Sequence, residues 1–208
     1  MADIDVPYYL ARPTTPVRAG VVVIHEGNGM SMQLLRVCER LASEGFAVAA
    51  PDLFFRTGGP AARDDYREQA GALRPDEVQT DLAVAADALR ALGASRIGVT
   101  GFCMGGSYTY QTALHGIGYD AAVGFYGSTI AKELGEPRCP TLLFFGGNDP
   151  WVPAEDVAAV AAHHADTVVY PHAGHGFMRD GSDDYVPDAA GDAWARMLAH
   201  FRRYLLVS

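Results

Sequence analysis

The chain has 208 residues, 49% of them hydrophobic and 20% charged, a balance that excludes disordered, fibrous and low-complexity classes. A compact chain of this length buries roughly 70% of its extended surface, so a single domain over 1–208 with one substantial core is expected. Sixteen Lys and Arg against 25 Asp and Glu leave a formal net charge of −9. That is the wrong sign for nonspecific attraction to a phosphate backbone, so nucleic acid is not an expected partner.

The three cysteines, Cys38, Cys103 and Cys139, are too few and odd in number for a disulfide scaffold and suit a reducing compartment. The opening MADIDVPYYLARP is acidic where a signal peptide needs a basic region, and no apolar stretch follows it. No window approaches 18 uninterrupted apolar residues, so no membrane span is expected. A cytoplasmic location is the resulting expectation.

In chain order, AGVVVI (Ala19–Ile24) is a continuous apolar run of the kind that forms a buried parallel strand. Residues 33–43 follow with Leu34, Val37, Cys38 and Leu41 at helical spacing, and Gly45 ends that helix. FAVAA, at 46–50, is the next strand. The Gly-, Pro- and charge-rich stretch 56–74 reads as a loop over one edge. Pro75–Ala91 is the clearest helix, with Val78, Leu82, Ala85, Leu89 and Leu92 on one stripe, Pro75 at the start and Gly93 just past the end. Strands are expected at 96–100, Ala121–Phe125, 141–145 and Thr167–Tyr170, with helices beginning near Met104 and Pro153. A terminal helix over 190–206 carries Trp194, Met197, Leu198, Phe201 and Leu205 on its apolar side. Alternating helices and unbroken apolar strands define an α/β fold, a mostly parallel sheet with helices on both faces.

The most informative segment is RIGVTGFCMGGSYTY, at 96–110. A strand runs into Gly-Phe-Cys-Met-Gly-Gly and then a helix, which is the nucleophile elbow G-x-S-x-G with Cys103 in the serine position. Gly101, Gly105 and Gly106 lack the side chains that would clash in so sharp a turn. The helix behind Cys103 aims its first amides and positive dipole end at the sulfur and favours negative charge there. Such a nucleophile requires a carboxylate and then a histidine, each after a later strand. Asp149 follows TLLFF and His175 follows TVVY, in the required order. Asp149 would hold the Nδ1 proton of His175 while Nε2 faces the sulfur. His172 rivals His175 as the base, and Asp156, within a helix, is a weaker rival of Asp149.

His25-Glu26-Gly27 ends the first core strand on the same rim. Glu26 is a candidate functional carboxylate. The backbone N–H groups of Gly27 and Met104 are candidate oxyanion donors, two dipoles aimed at one point. His25, His115, His163, His164 and His200 are assigned to packing or local hydrogen bonding, and Cys38 and Cys139 to the core. No H-E-x-x-H, C-x-x-C or G-x-x-x-x-G-K-[ST] pattern occurs, so neither a metal nor a nucleotide cofactor is expected.

HEGNGM at 25–30, APDLFFR at 50–56, GFCMGG at 101–106, FGGNDPWVP at 145–153 and AGHGFMR at 173–179 resemble the dienelactone hydrolase family of α/β-hydrolases over nearly the whole chain. The resemblance implies a Cys103–Asp149–His175 triad. It also implies that Glu26 holds the resting thiol away from the histidine and that the amides of Gly27 and Met104 form the oxyanion hole. Two arginines are implied to bind a substrate carboxylate: Arg179, four residues beyond His175, and Arg67 in the variable loop. A surface salt bridge to Asp180 or Asp183 is the alternative use of Arg179. The sequence departs from the family at Gly27, where a bulky aliphatic is expected, and at Gly71, where an aromatic often lines the pocket. The activity implied is hydrolysis of an ester or enol lactone, most simply one bearing a carboxylate. A general carboxylesterase or thioesterase, and a non-catalytic protein of the same fold, are the competing readings.

Overall fold

A computed structural model describes residues 6–58 and 66–206. Within them the chain forms β1 (Tyr8–Ala11), β2 (Ala19–Ile24), α1 (Met32–Ser43), β3 (Ala47–Pro51), α2 (Tyr66–Ala72), α3 (Pro75–Ala91) and β4 (Arg96–Phe102). It continues through α4 (Met104–His115), β5 (Ala121–Phe125), β6 (Thr141–Gly146), α5 (Ala154–His163), β7 (Thr167–Tyr170) and α6 (Pro187–Leu205). Short 3₁₀ turns occupy Phe55–Thr57 and Ile130–Lys132.

The strands build one seven-stranded sheet in the order β1-β3-β2-β4-β5-β6-β7. β1 lies antiparallel on β3, and all other pairs are parallel. The period-two pleat sends alternate residues to opposite faces. Val21 and Val23 of β2 join the core beneath α1 and α6, whereas Val22 and Ile24 join the core beneath α3. Farther along the sheet, Leu143 and Phe145 of β6 meet Tyr110 and Leu114 of α4 and Val157 and Val160 of α5. Both faces of the central strands are therefore covered, which is why β2, β3 and β5 are apolar without interruption and buried throughout.

α3 keeps the bounds expected from its stripe. Pro75 sits at the helix start, Asp76 and Glu77 in the first turn, and Gly93 adopts φ +101° just beyond the last residue. Two expectations are corrected and one element is added. The added element is β1, a four-residue edge strand paired with β3. The stretch 56–74 is not wholly a loop: it carries part of a 3₁₀ turn and the helix α2, while 59–65 lies outside the described residues. The terminal helix begins at Pro187, three residues before its apolar stripe becomes regular, because a first-turn proline needs no amide partner. Bidentate contacts from Arg56 to the buried Asp81 of α3, at 2.5 and 2.7 Å, tie the turn after β3 to that helix.

Candidate active site

In open parallel sheets a crevice opens where successive strands leave in opposite directions. Here the chain goes from β2 outward to β3, then returns to place β4 on the other side of β2. The carboxyl ends of β2 and β4 flank that switch point, and the segments after them carry Glu26-Gly27 and Cys103. The segments after β5, β6 and β7 bring Tyr126, Asp149 and His175 to the same rim.

Cys103 occupies the bend between β4 and α4 with φ 54° and ψ −116°, a conformation a non-glycine residue holds only when its surroundings impose it. Its amide donates to Phe125 O at 3.0 Å. The glycines that follow let the helix press against the sheet. A Cβ on Gly105 would lie 2.4 Å from Ile24 O, and one on Gly106 would lie 2.1 Å from Phe125 O. The side chain of Cys103 is half-buried, unlike Cys38 and Cys139, whose thiols burial pushes up to about 12 and about 11.

His175 Nδ1 lies 2.8 Å from Asp149 Oδ2. The other carboxylate oxygen, Oδ1, accepts from the amides of Trp151 and Val152 at 2.8 and 3.3 Å, so Asp149 is held from both sides and has no solvent-exposed side-chain surface. Burial opposes the charged imidazole, but the hydrogen bond to Asp149 and the interactions with Cys103 outweigh it and raise the His175 pKa to about 9. The rivals lie elsewhere. His172 is exposed and pairs with Asp188 at 2.9 Å, and Asp156 is in the first turn of α5.

Glu26 is buried, and each of its oxygens has a partner: Oε1 accepts from the Tyr126 hydroxyl at 3.1 Å and Oε2 from Arg179 Nε at 2.6 Å. Arg179 also reaches Asp184 Oδ2 at 3.0 Å, so its ion-pair partners are Glu26 and Asp184 rather than Asp180 or Asp183. Burial works against the guanidinium, yet Glu26 more than compensates and its pKa is raised. The buried Tyr126 hydroxyl is also shifted well up, first by burial and then by the Glu26 charge. His25 fixes the backbone before this carboxylate. Its Nε2 accepts from the Leu53 amide at 3.0 Å, which leaves Nδ1 to donate to Glu26 O at 2.7 Å, and burial lowers its pKa.

A cleft of about 1350 Å³ joins these groups, with Glu26, Gly27, Cys103, Met104, His175 and Arg179 all on its wall. Arg67 of α2 also lines it, its guanidinium 5.2 Å above the Trp151 ring. All eight residues singled out in the sequence thus lie on the cleft or, for Asp149, directly behind it. Tyr126 and Asp184 were not singled out. Tyr126 had a visible signal, as it directly follows a core strand in FYGS on the same rim; in the structure it joins Cys103 as a non-glycine residue held at positive φ, here 38°. Asp184 had none, because its partner is chosen by the path of the loop. Among the described residues no group of three or more His, Cys, Asp or Glu could hold a metal ion, and no helix is long and apolar enough to cross a membrane.

This architecture, with the candidate groups at the carboxyl ends of the strands, is that of an α/β-hydrolase. The model of the dienelactone hydrolase family matches residues 6–205, and the chain belongs to that family. A Salmonella typhimurium (strain LT2) protein named "Putative carboxymethylenebutenolidase" is 36% identical, the match covering 96% of this chain and 83% of that one. A "Carboxymethylenebutenolidase" of Pseudomonas sp. (strain P51) is 31% identical over 93% of this chain and 87% of the relative. Among solved structures, a Klebsiella pneumoniae protein titled "Putative Dienelactone Hydrolase" superposes with a TM-score of 0.86 at 31% identity, covering 96% of this chain and 93% of that one. Membership makes this chain a hydrolase of the type that acts on small esters or lactones through a nucleophile, an acid and a base.

Proposed function

We propose that the chain is a cysteine-dependent hydrolase of a carboxylate-bearing enol lactone or similarly activated ester, with Cys103 as nucleophile, His175 as base and Asp149 orienting the imidazole. The observation that supports this reading is the 2.8 Å Asp149–His175 contact, with His175 lining the same cleft as a cysteine held at φ 54°. A His175 pKa of about 9 favours imidazolium at neutral pH, the partner a Cys103 thiolate needs. The thiolate adds to the ester carbonyl, and the amides of Gly27 and Met104 receive the oxyanion. Collapse of the tetrahedral intermediate breaks the ring C–O bond and expels an enolate, which takes up the His175 proton. An enolate leaves more readily than a simple alkoxide, so the intermediate partitions forward instead of returning the thiolate. Neutral His175 then draws a proton from water, the hydroxide adds to the thioester, and the thiolate departs with the free acid formed.

In this reading Arg67 and Arg179 attract the substrate carboxylate, and Glu26, bonded to both Tyr126 and Arg179, positions that arginine beside the sulfur. The two carboxylates already on Arg179 favour a second reading, a general carboxylesterase or thioesterase for neutral substrates. The test is turnover of an activated aryl ester before and after alkylation with iodoacetamide, alongside Cys103→Ala. Loss of at least a thousandfold in kcat/KM is expected, and activity that survives full modification of Cys103 would falsify the cysteine mechanism. Comparing cis- and trans-dienelactone with neutral esters of similar size separates the two substrate classes; a preference for neutral esters selects the second.

A further inference from the structure

The cleft is far larger than a monocyclic lactone requires, and its end on the α4/α5 side is chemically distinct from the Arg179 end. Met178, next to Arg179, packs into the core shared by α1 and α6, and its carbonyl accepts from Gln33 of α1 at 3.1 Å. On the opposite face of the sheet the 3₁₀ turn Ile130–Lys132 packs through Ile130 and Ala131 against Tyr110 and Leu114 of α4 and Val157 and Val160 of α5. That turn carries Lys132 to the cleft wall.

Lys132 is the only lysine in the 208 residues; every other fixed cationic side chain is an arginine. It lies in the cleft, and no carboxylate of the described residues stands within ion-pair distance of it. Its neighbour Glu133 is engaged instead with His115, at 2.8 Å. Glu133 lines the cleft as well, and the rest of the wall around Lys132 supplies neutral hydrogen-bonding groups: Ser128, Thr129 and Gln111. An ammonium with no carboxylate in ion-pair contact, its neighbour Glu133 being bonded to His115, is left free to attract an anion and has little to offer an apolar chain.

We propose that Lys132 is a specificity-determining residue that binds an anionic group of the substrate, a carboxylate on the part of the ester farthest from Arg179, so that the enzyme selects esters ionised at the α4/α5 end of the cleft. This assignment rests on the hydrolase reading above and adds a second anion site to it. A compact ammonium on a flexible stem suits a carboxylate at the end of a chain, which reaches it in several orientations, better than a planar fork would. The wide cleft leaves room for a substrate that spans both ends.

The test uses 4-nitrophenyl monoesters of glutarate and adipate, whose acyl chains end in a carboxylate, against the corresponding esters capped as neutral methyl esters. The readout is the ratio of kcat/KM for the ionised over the capped substrate, measured on the full chain. The ratio is expected to fall about tenfold in Lys132→Met through KM, to be largely kept in Lys132→Arg, and to fall further in Lys132→Glu. It is also expected to decline with added salt in the parent protein and in Lys132→Arg, and to do so less in Lys132→Met. An equal ratio in all four proteins overturns the assignment while leaving the hydrolase reading intact. If the parent protein cleaves none of these esters, the hydrolase reading fails, and calorimetric binding of adipate then decides on Lys132 alone: equal affinity in the parent and Lys132→Met overturns it, and weakening by about tenfold supports it.

Discussion

His175 and Asp149 show how burial and charge divide a single residue's behaviour. Removing the imidazole from water lowers its proton affinity, yet Asp149 on one side and Cys103 on the other raise the pKa from 6.5 to about 9. The folded protein therefore holds this proton more tightly than the unfolded chain does. The resulting stabilisation is fully present below about pH 6.5 and is lost as the pH rises through about 9. The stability difference between the parent and His175→Gln, read from urea unfolding, should be larger at pH 6 than at pH 10. A difference that stays constant with pH would mean that the proton is not held in this way. Asp149→Asn keeps the shape but removes the charge, so, under the proposed mechanism, kcat should fall by about 10²–10⁴. The His175 resonance should then titrate closer to its ordinary value by NMR.

At the scale of elements, the decisive feature is how closely α4 enters against the sheet. The helix begins immediately after a strained cysteine, and its second and third residues touch carbonyls of two different strands, Ile24 and Phe125. Gly106→Ala should cost about 3 kcal/mol or more, because the new methyl meets backbone that cannot retreat. Gly191, in the exposed first turns of α6, has nothing within 4 Å of its added Cβ. Gly191→Ala should stabilise by about 0.5–1 kcal/mol through helix propensity alone. Chemical denaturation of the two variants gives this contrast directly, and similar values for both would refute the close-approach argument. α2 illustrates the other kind of element. It is short and carries little apolar pattern of its own, and it places Arg67, Ala70 and Gly71 on the cleft wall.

Over the whole molecule, one sheet with two covered faces joins the site to the core. α6 closes one face: Phe201 is fully buried, stands edge-on to Phe46 at 6.1 Å, and fills the space above Gly98, where a Cβ would lie 2.8 Å from its ring. Phe201→Ala should cost about 3–5 kcal/mol, measured as a lowered urea midpoint with an unchanged slope. Because the strands carry the cleft residues at their carboxyl ends, loosening this face should also reduce thermal protection of the site. Against a net charge of −9, the cleft gathers three cations, Arg67, Lys132 and Arg179, with the three carboxylates of Glu26, Glu133 and Asp184, a local balance that the molecule as a whole lacks.

Much of this protein is determined locally and can be read from the chain alone. The apolar runs of β2 and β5 and the stripe of α3 appear at the bounds expected of them, since burial on both faces or on one stripe imposes a pattern within a few residues. The turn at Cys103 is legible for the same reason: its glycines answer to contacts made within the strand–turn–helix unit and its immediate neighbours. Pairings between distant segments carry no such imprint. That both oxygens of Glu26 are taken by Tyr126 and Arg179, that Asp184 shares the same guanidinium, and that Lys132 lines the cleft while its neighbour Glu133 bonds His115 follow from how the chain segments converge. A charged side chain near the surface satisfies itself with whichever partner the fold brings within reach. Its role is therefore decided by tertiary structure, whereas a buried apolar residue announces its place in its own sequence neighbourhood.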